Sequence, residues 1–544
     1  MKKILFAIFA AAALFAGCSK EGGSDSPLTA DFTVSANPCF AGDPIKFTAK
    51  VSGGKSPYTY EWTIQETTKT EAEILHTFKT NGTVRVKLAV KDSDGKSAEK
   101  TKLVVVNPAQ VAETGEVTLN WVGYMEGYGN IAAPAVADDG SVYAVSDADK
   151  VYKFTSTGSK AWEKVVVSDP ENKNRLQSTP SIDSDGTVYV AGGTQNGTAV
   201  IKAYNPDGSE KWSFTDFWNK GNAHQASITG GIVGIGDANV YMGNTGQTGT
   251  VIAIGKADGK RKGYVTDGSA GPAGGARSGI VISKGGYLHW YGGMYGLFAA
   301  KQSGVDSGTN GYAKEWRQFT DALPSASHSS LGCMVVNGKN CVIGIVTDNV
   351  STKVYAVNAE DGEVVSLVRI NDTASQDQGG VVTTTEGYIV ASLNYELGKA
   401  NGGVIFVDPA TSTVKARYST QEKVSGSAAV DKAGNVHFFT ESGYYYVVKP
   451  DYNTGNCELK VKRDMASIIS ADSRYADAYA ELYQAKFWSS PVIGDDGKIY
   501  IHFTDEETRA FGGVLCVSFS ECQGPADSDW PMIGQNRRHT NRQK

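Results

Sequence analysis

The chain is poor in the residues that stiffen, cross-link or activate a protein. Of its 544 residues only 16 are proline and 7 are cysteine. No two cysteines are adjacent and none form C-x-x-C, so a dithiol redox motif and a zinc ribbon are excluded. The 7 histidines are scattered, with no H-E-x-x-H and no pair at metal-ligand spacing. No G-x-S-x-G occurs, and Gly54-Lys55-Ser56 fails as a phosphate loop because Ala49 stands where the first glycine belongs. Positive charge is also short: the formal net charge is −6, which gives no electrostatic footprint for nucleic acid. Beyond the first residues no apolar run approaches the 18 or so that a membrane-crossing helix needs. What is plentiful is glycine, 63 residues against a usual share of about 7%, with 26 tyrosines, 19 phenylalanines and 9 tryptophans. The glycines follow no three-residue period, which excludes collagen, and 40% apolar residues suffice for a buried core. The length suggests two to four domains built from short strands and tight turns.

Residues 1–18 read as a secretory leader. Lys2 and Lys3 form its positive start and residues 4–16 its apolar stretch, too short for a mature transmembrane helix. The stretch ends Leu14-Phe15-Ala16-Gly17-Cys18, which resembles the lipobox of bacterial lipoproteins. That resemblance implies a palmitate-type acylated Cys18 as the mature N-terminus, with residues 19–28 as a polar tether. The expected partner is a membrane, reached through the lipid. The expected address is the outer membrane or the cell surface, a periplasm-facing position remaining open. Six cysteines follow. Cys333 and Cys341 flank an Asn-Gly hairpin, and Cys516 and Cys522 bound a second short loop; each pair is read as a disulfide or as two buried thiols.

Residues 29–107 alternate in strand fashion, as in Val84-Arg85-Val86-Lys87-Leu88-Ala89-Val90, with turn signals every eight to twelve residues. This predicts a β-sandwich. The residues Tyr58-x-Tyr60-x-Trp62, His76-x-Phe78, Gly82-x-Val84 and Val90-x-Asp92-x-x-Gly95 resemble those of PKD domains, immunoglobulin-like modules of extracellular proteins. Trp62 is read as core and the domain as a spacer.

After a short linker, residues 108–115, a unit recurs through residues 116–544: a short strand, an Asp-Gly turn, a Val-Tyr strand, a third strand, and an outer strand often carrying Trp. Its clearest copy starts Ser178-Thr179-Pro180. Counterparts of Pro180 fall at Pro134, Gly230, Gly279, Gly332, Gly379, Ala428 and Pro491, which makes eight units. Four strands per unit at such a period predict propeller blades. The eighth unit lacks an outer strand, while an orphan strand around Trp121 precedes the first, so the two are expected to pair and close the ring. Residues 472–486, rich in helix formers, predict a helical insert between blades seven and eight. The units resemble the pyrroloquinoline-quinone-like (PQQ-like) propeller repeat, and Trp530-Pro531-Met532-Ile533-Gly534 with His539-Thr540 resembles a signature of that family. The fold class expected is therefore all-β, an N-terminal immunoglobulin-like β-sandwich followed by an eight-bladed β-propeller.

Quinone-using dehydrogenases of the resembling family carry a vicinal disulfide, a tryptophan floor, a calcium site and an aspartate base. Adjacent cysteines are missing here, and the recurring Asp-Gly pairs are read as turns, so neither metal nor cofactor is expected. What remains is a set of polar residues just ahead of the innermost strands: Gln177, His224, Gln225, Arg277, His328, Gln376, Asp377, Gln378 and Trp488. In a propeller these gather around one mouth of the channel and suit a sugar, a peptide or a loop of another protein. The expected function is non-enzymatic binding or scaffolding of a glycan or protein. An outer-membrane assembly role and a quinone- or metal-dependent enzyme stand as alternatives.

Overall fold

The computed structural model describes residues 26–37, 39–42, 44–65, 67–79, 82–107, 112–127, 131–167, 178–192, 200–215, 231–243, 251–265, 278–292, 296–307, 310–311, 315–319, 323–324, 331–347, 351–371, 379–393, 402–476, 479, 485–505 and 511–544. The chain divides into two units after residue 111.

The first unit is a sandwich of two sheets, one built on Thr29–Val34, Pro44–Ser52 and Glu73–Thr77. The other is built on Cys39–Phe40, Ser97–Asn107, Gly82–Lys91, Thr59–Ile64 and Thr67–Lys69. Alternation decides what is buried: Val86, Leu88 and Val90 point inward from one strand while Arg85 and Lys91 stay outside or at the rim. Trp62 is fully buried, with its ring centroid 5.2 Å from Phe32 and 6.0 Å from Phe47. Its Nε1 donates to the Glu71 carbonyl at 2.8 Å, so its one polar atom is satisfied inside the core.

Among the described residues the second unit contains eight sheets of four or five strands, antiparallel except where Asn310–Gly311 joins the third in parallel. The first comprises Ala135–Val136, Val142–Ser146, Lys150–Phe154 and Lys160–Val165 in spatial order. The innermost strands of most successive sheets lie beside one another. Ring closure follows the sequence-based expectation: Thr118–Glu126 pairs with Phe511–Ser518 as the outer strand of the eighth sheet, Val122 opposite Leu515. This pairing removes the open edges both strands would otherwise expose. Residues 113–115, within the stretch expected to be linker, also join this unit. Thr114 pairs with Lys462, and Arg463 reaches Glu113 at 3.4 Å and the Gly115 carbonyl at 3.3 Å.

Four of the junctions between sheets share one contact. Trp121, Trp162, Trp212 and Trp316, each on an outer strand, lie against a turn of the next sheet. Their indole N–H groups donate to the carbonyls of Ser156, Pro206, Lys256 and Ala359 at 2.9–3.2 Å. The ring face covers a glycine of that turn, Gly158, Gly208, Gly259 and Gly362 in order.

Of the expected helical insert over 472–486, residues 477–478 and 480–484 lie outside the described residues. A short helix is described just before it, at Met465–Ala471, where Asp464 caps it by accepting the Ala466 N–H at 3.1 Å. It ends because the Asp472 carboxylate takes the Arg474 N–H at 2.9 Å and starts a turn instead. Within 472–486 the described residues are turn, plus the two-residue strand Ala485–Lys486. Tyr479 there is buried against Phe503, centroids 5.7 Å apart.

Candidate functional site

The two mouths of the ring are built differently, and the difference begins with the innermost strands. One edge of each pairs with its own sheet, leaving N–H groups on the other edge. Residues 525–543 satisfy these groups by running across one mouth. The N–H groups of Val136, Ile182, Ile235 and Ile282 donate to the carbonyls of Arg537, Arg538, Thr540 and Asn541 at 2.7–2.9 Å. Those of Thr383 and Val430 donate to the carbonyls of Trp530 and Pro531 at 2.8 and 2.9 Å. The fifth sheet contributes Val335 N–H to Asp529 Oδ2 at 2.9 Å. The eighth contributes Asp495, which binds Arg537 at 2.7 Å while the same guanidinium holds Asp138 of the first sheet at 2.8 Å. This C-terminal strap therefore touches every sheet. Four left-handed residues, Gly534, Gln535, His539 and Asn541, let it wind that tightly.

The strap holds the ends of the innermost strands, so their beginnings face the opposite mouth. The described residues there are hydroxyl brackets. Ser178, Ser278 and Ser489 each accept the backbone N–H of the residue thirteen positions on, from Ala191, Tyr291 and His502 at 2.9–3.3 Å. Thr179 and Ser490 accept from the neighbouring sheets, Ala133 N–H at 3.1 Å and Ser427 N–H at 2.8 Å. The Ser178-Thr179-Pro180 start was visible in the sequence; its role as a bracket within and between sheets was not.

Of the candidate ligand residues, Trp488 is described: it is half-buried, with Lys486 Nζ 4.9 Å from its ring centroid. Gln177, His224, Gln225, Arg277, His328, Gln376, Asp377 and Gln378 lie outside the described residues, as does Cys18. His502 and His539 are buried deeper, and burial lowers their pKa values to about 3 and about 4.

The recurring carboxylates bind the chain's own backbone. Asp139, Asp185, Asp207 and Asp496 accept the N–H of Ser141, Thr187, Ser209 and Lys498 at 2.8–3.2 Å, each across a glycine of positive φ. In Asp139 and Asp185 burial raises the pKa, but these N–H bonds, together with the Ser141 and Thr187 hydroxyls and the charges of Lys153 and Lys211, outweigh it and the net shift is downward. A cleft of about 220 Å³ opens between the first two sheets on the strap's side, lined by Asp138, Asp139, Asp183, Asp185 and Arg538. Lys256 already meets Asp183 at 2.8 Å, so much of its charge is compensated.

Of the two readings left open for each cysteine pair, the structure has the buried thiols: Cys333, Cys341, Cys516 and Cys522 are free. Asn337 and Gly338, both with positive φ, form a two-residue turn that pairs Val336 with Lys339. Cys333 therefore faces Val342 and Cys341 faces Met334, on opposite sides of the sheet and in different cores. Cys516 lies in a strand opposite Trp121 and Tyr500, while Cys522 is on the turn that follows.

Comparison with known proteins agrees with this architecture. Residues 30–105 match the PKD domain. The larger unit has the fold of quinoprotein-type propellers. A quinohemoprotein alcohol dehydrogenase from Pseudomonas putida HK5 is 14% identical with a TM-score of 0.55, over 76% of this chain and 78% of that one. A europium-containing methanol dehydrogenase is 11% identical with a TM-score of 0.55, over 75% and 95%. BamB from Moraxella catarrhalis, 11% identical over 74% and 99%, has a TM-score of 0.46, a likeness that carries no argument. Among curated proteins none matches. At these identities the larger unit shares with those structures the fold alone; with the PKD match, the chain is a PKD module followed by a PQQ-like propeller.

Proposed function

We propose that this chain is a non-enzymatic binding lipoprotein, anchored through Cys18 at the outer membrane or cell surface, which presents its propeller to a glycan or protein. The observation that carries the reading is the strap. It occupies one mouth of the ring with backbone bonds, which leaves the mouth at the start of the innermost strands as the binding face. The candidate residues Gln177, His224, Gln225, Arg277, His328, Gln376 and Gln378 precede those strands in sequence, as does the half-buried aromatic Trp488. Against a dehydrogenase stand the missing adjacent cysteines and the carboxylates committed to backbone N–H groups.

The test is binding to an immobilised glycan panel and to surface-protein extracts. Alanine at both Arg277 and Trp488 is expected to abolish the interaction; undiminished binding would move the site elsewhere. Protease shaving of intact cells decides whether the propeller is outside, and Cys18→Ser is expected to release the chain from membranes. Dye reduction after reconstitution with pyrroloquinoline quinone and Ca²⁺ would revive the enzyme reading.

A further inference from the structure

We propose that Asp431, His437 and Cys522 form a binding site for one thiophilic divalent cation of the Zn²⁺ type, which fastens the C-terminal strap to the seventh sheet. The three residues come from separate places. Asp431 follows the innermost strand Ala429–Val430, His437 lies on the next strand Val436–Phe439, and Cys522 lies on the turn leading from the eighth sheet into the strap. Their ligand atoms all lie within 4.8 Å of one another, and all three residues are buried. Carboxylate oxygen, imidazole nitrogen and thiolate sulfur are ligands that zinc accepts together, and ligand atoms around a tetrahedral Zn²⁺ sit roughly 3–4 Å apart.

The surroundings hold each ligand in position. Asn435 donates its backbone N–H to Asp431 Oδ1 and its amide Nδ2 to Oδ2, both at 2.9 Å. His437 Nε2 lies 3.0 Å from Asp431 Oδ2, and its Nδ1 lies 2.6 Å from the Tyr445 hydroxyl. With the Nδ1 proton donated to that hydroxyl, Nε2 is free as a ligand, and the hydroxyl fixes the ring as the outer partners of metal-bound histidines do. Asn435 Oδ1 is buried with no hydrogen-bond partner among the described residues, although the same amide's nitrogen touches the cluster. Lys432, Ala433, Glu521 and Gln523 are exposed on the two flanking turns, so the cluster lies directly beneath the surface.

Comparison between sheets separates this cluster from ordinary packing. The same two positions pair in the second sheet, Asp183 with Tyr189 at 3.2 Å, and in the fourth, Ser283 with His289 at 2.9 Å. Those pairs are structural hydrogen bonds. The seventh sheet alone of these three combines two ligating side chains with a thiol brought by a segment outside the repeat. The sequence-based expectation of no metal depended on spacing along the chain, and here the third ligand is 85 positions away from the second. Burial holds the Cys522 thiol protonated, up to about 12, so binding releases its proton to solvent as the sulfur becomes thiolate.

Co²⁺ titration of the full chain under reducing conditions reads the site directly. One equivalent is expected to bind with a thiolate-to-cobalt charge-transfer band and tetrahedral d–d bands, both displaced by Zn²⁺. Cys522→Ser, nearly isosteric, is expected to abolish the charge-transfer band while the chain keeps its strand circular dichroism. Cys457→Ser is expected to leave the band intact. Tyr445→Phe is expected to weaken Co²⁺ by about 10- to 100-fold. Zn²⁺ is expected to raise the Tm of the wild-type chain and not that of Cys522→Ser. Absence of the band, or a band that survives Cys522→Ser, overturns the proposal.

Discussion

Gly208 shows how much one residue can carry. Its φ is +86°, a conformation other residues rarely adopt, and a Cβ there would sit 3.0 Å from the Trp162 ring. Gly208→Ala thus combines backbone strain with a displaced indole and is expected to destabilise the second unit by about 1–3 kcal/mol, measured by urea unfolding. A loss within about 0.5 kcal/mol would mean the Trp162 contact is slack. Three imidazoles act through burial. His289, His502 and His539 have pKa values lowered to about 3, 3 and 4, below the unfolded value of about 6.5. As pH falls through 6.5 the unfolded chain takes up protons that the folded chain refuses, so stability declines from there towards pH 4. The lowered carboxylates Asp139 and Asp185 lose stability in the same direction, starting near pH 4. Tm is therefore expected to drop between pH 7 and 4.5, before carboxylates titrate appreciably; a flat profile across that window would contradict the imidazole assignment.

At the scale of the element, register was more readable than the chemistry hung on it. The Asn337-Gly338 turn specifies the pairing of Cys333 with Val342, so the parity that forbids a Cys333–Cys341 bridge was present in the sequence once the loop was taken as two residues long. The helix at Met465–Ala471 was harder to see, because helix-forming residues continue past Asp472, where the backbone turns extended and the side chain bonds Arg474. A consequence of the register is countable. In a Cys18→Ser chain unfolded without reductant, six thiols are expected to react with Ellman's reagent: those of Cys39, Cys333, Cys341, Cys457, Cys516 and Cys522. A count of four or two would restore one or both bridges.

For the molecule as a whole, closure is secured twice. The strand Thr118–Glu126 completes the eighth sheet, and the strap bonds all eight sheets at one mouth. Each strap hydrogen bond contributes on the order of 1 kcal/mol, and deleting residues 525–544 also removes Trp530 from the core beside Gly332. That deletion is expected to abolish cooperative unfolding of the second unit while the PKD unit keeps its own transition, as followed by calorimetry. A truncated chain that still shows both transitions at unchanged temperatures would make the strap an ornament of the ring and would weaken the argument for which mouth binds.

The sequence by itself determined the sandwich, the repeat and the closing strand, because those depend on patterns that recur every two residues or once per unit. The Trp-to-Gly joints were half legible: both residue types stand out, but Trp162 and Gly208 meet across 46 positions. The tertiary structure alone decided the strap and the Asp431–His437–Cys522 cluster. The strap binds through backbone carbonyls, which every residue possesses and no side chain announces. The cluster's members are distant in the chain and are brought together only when the ring is complete.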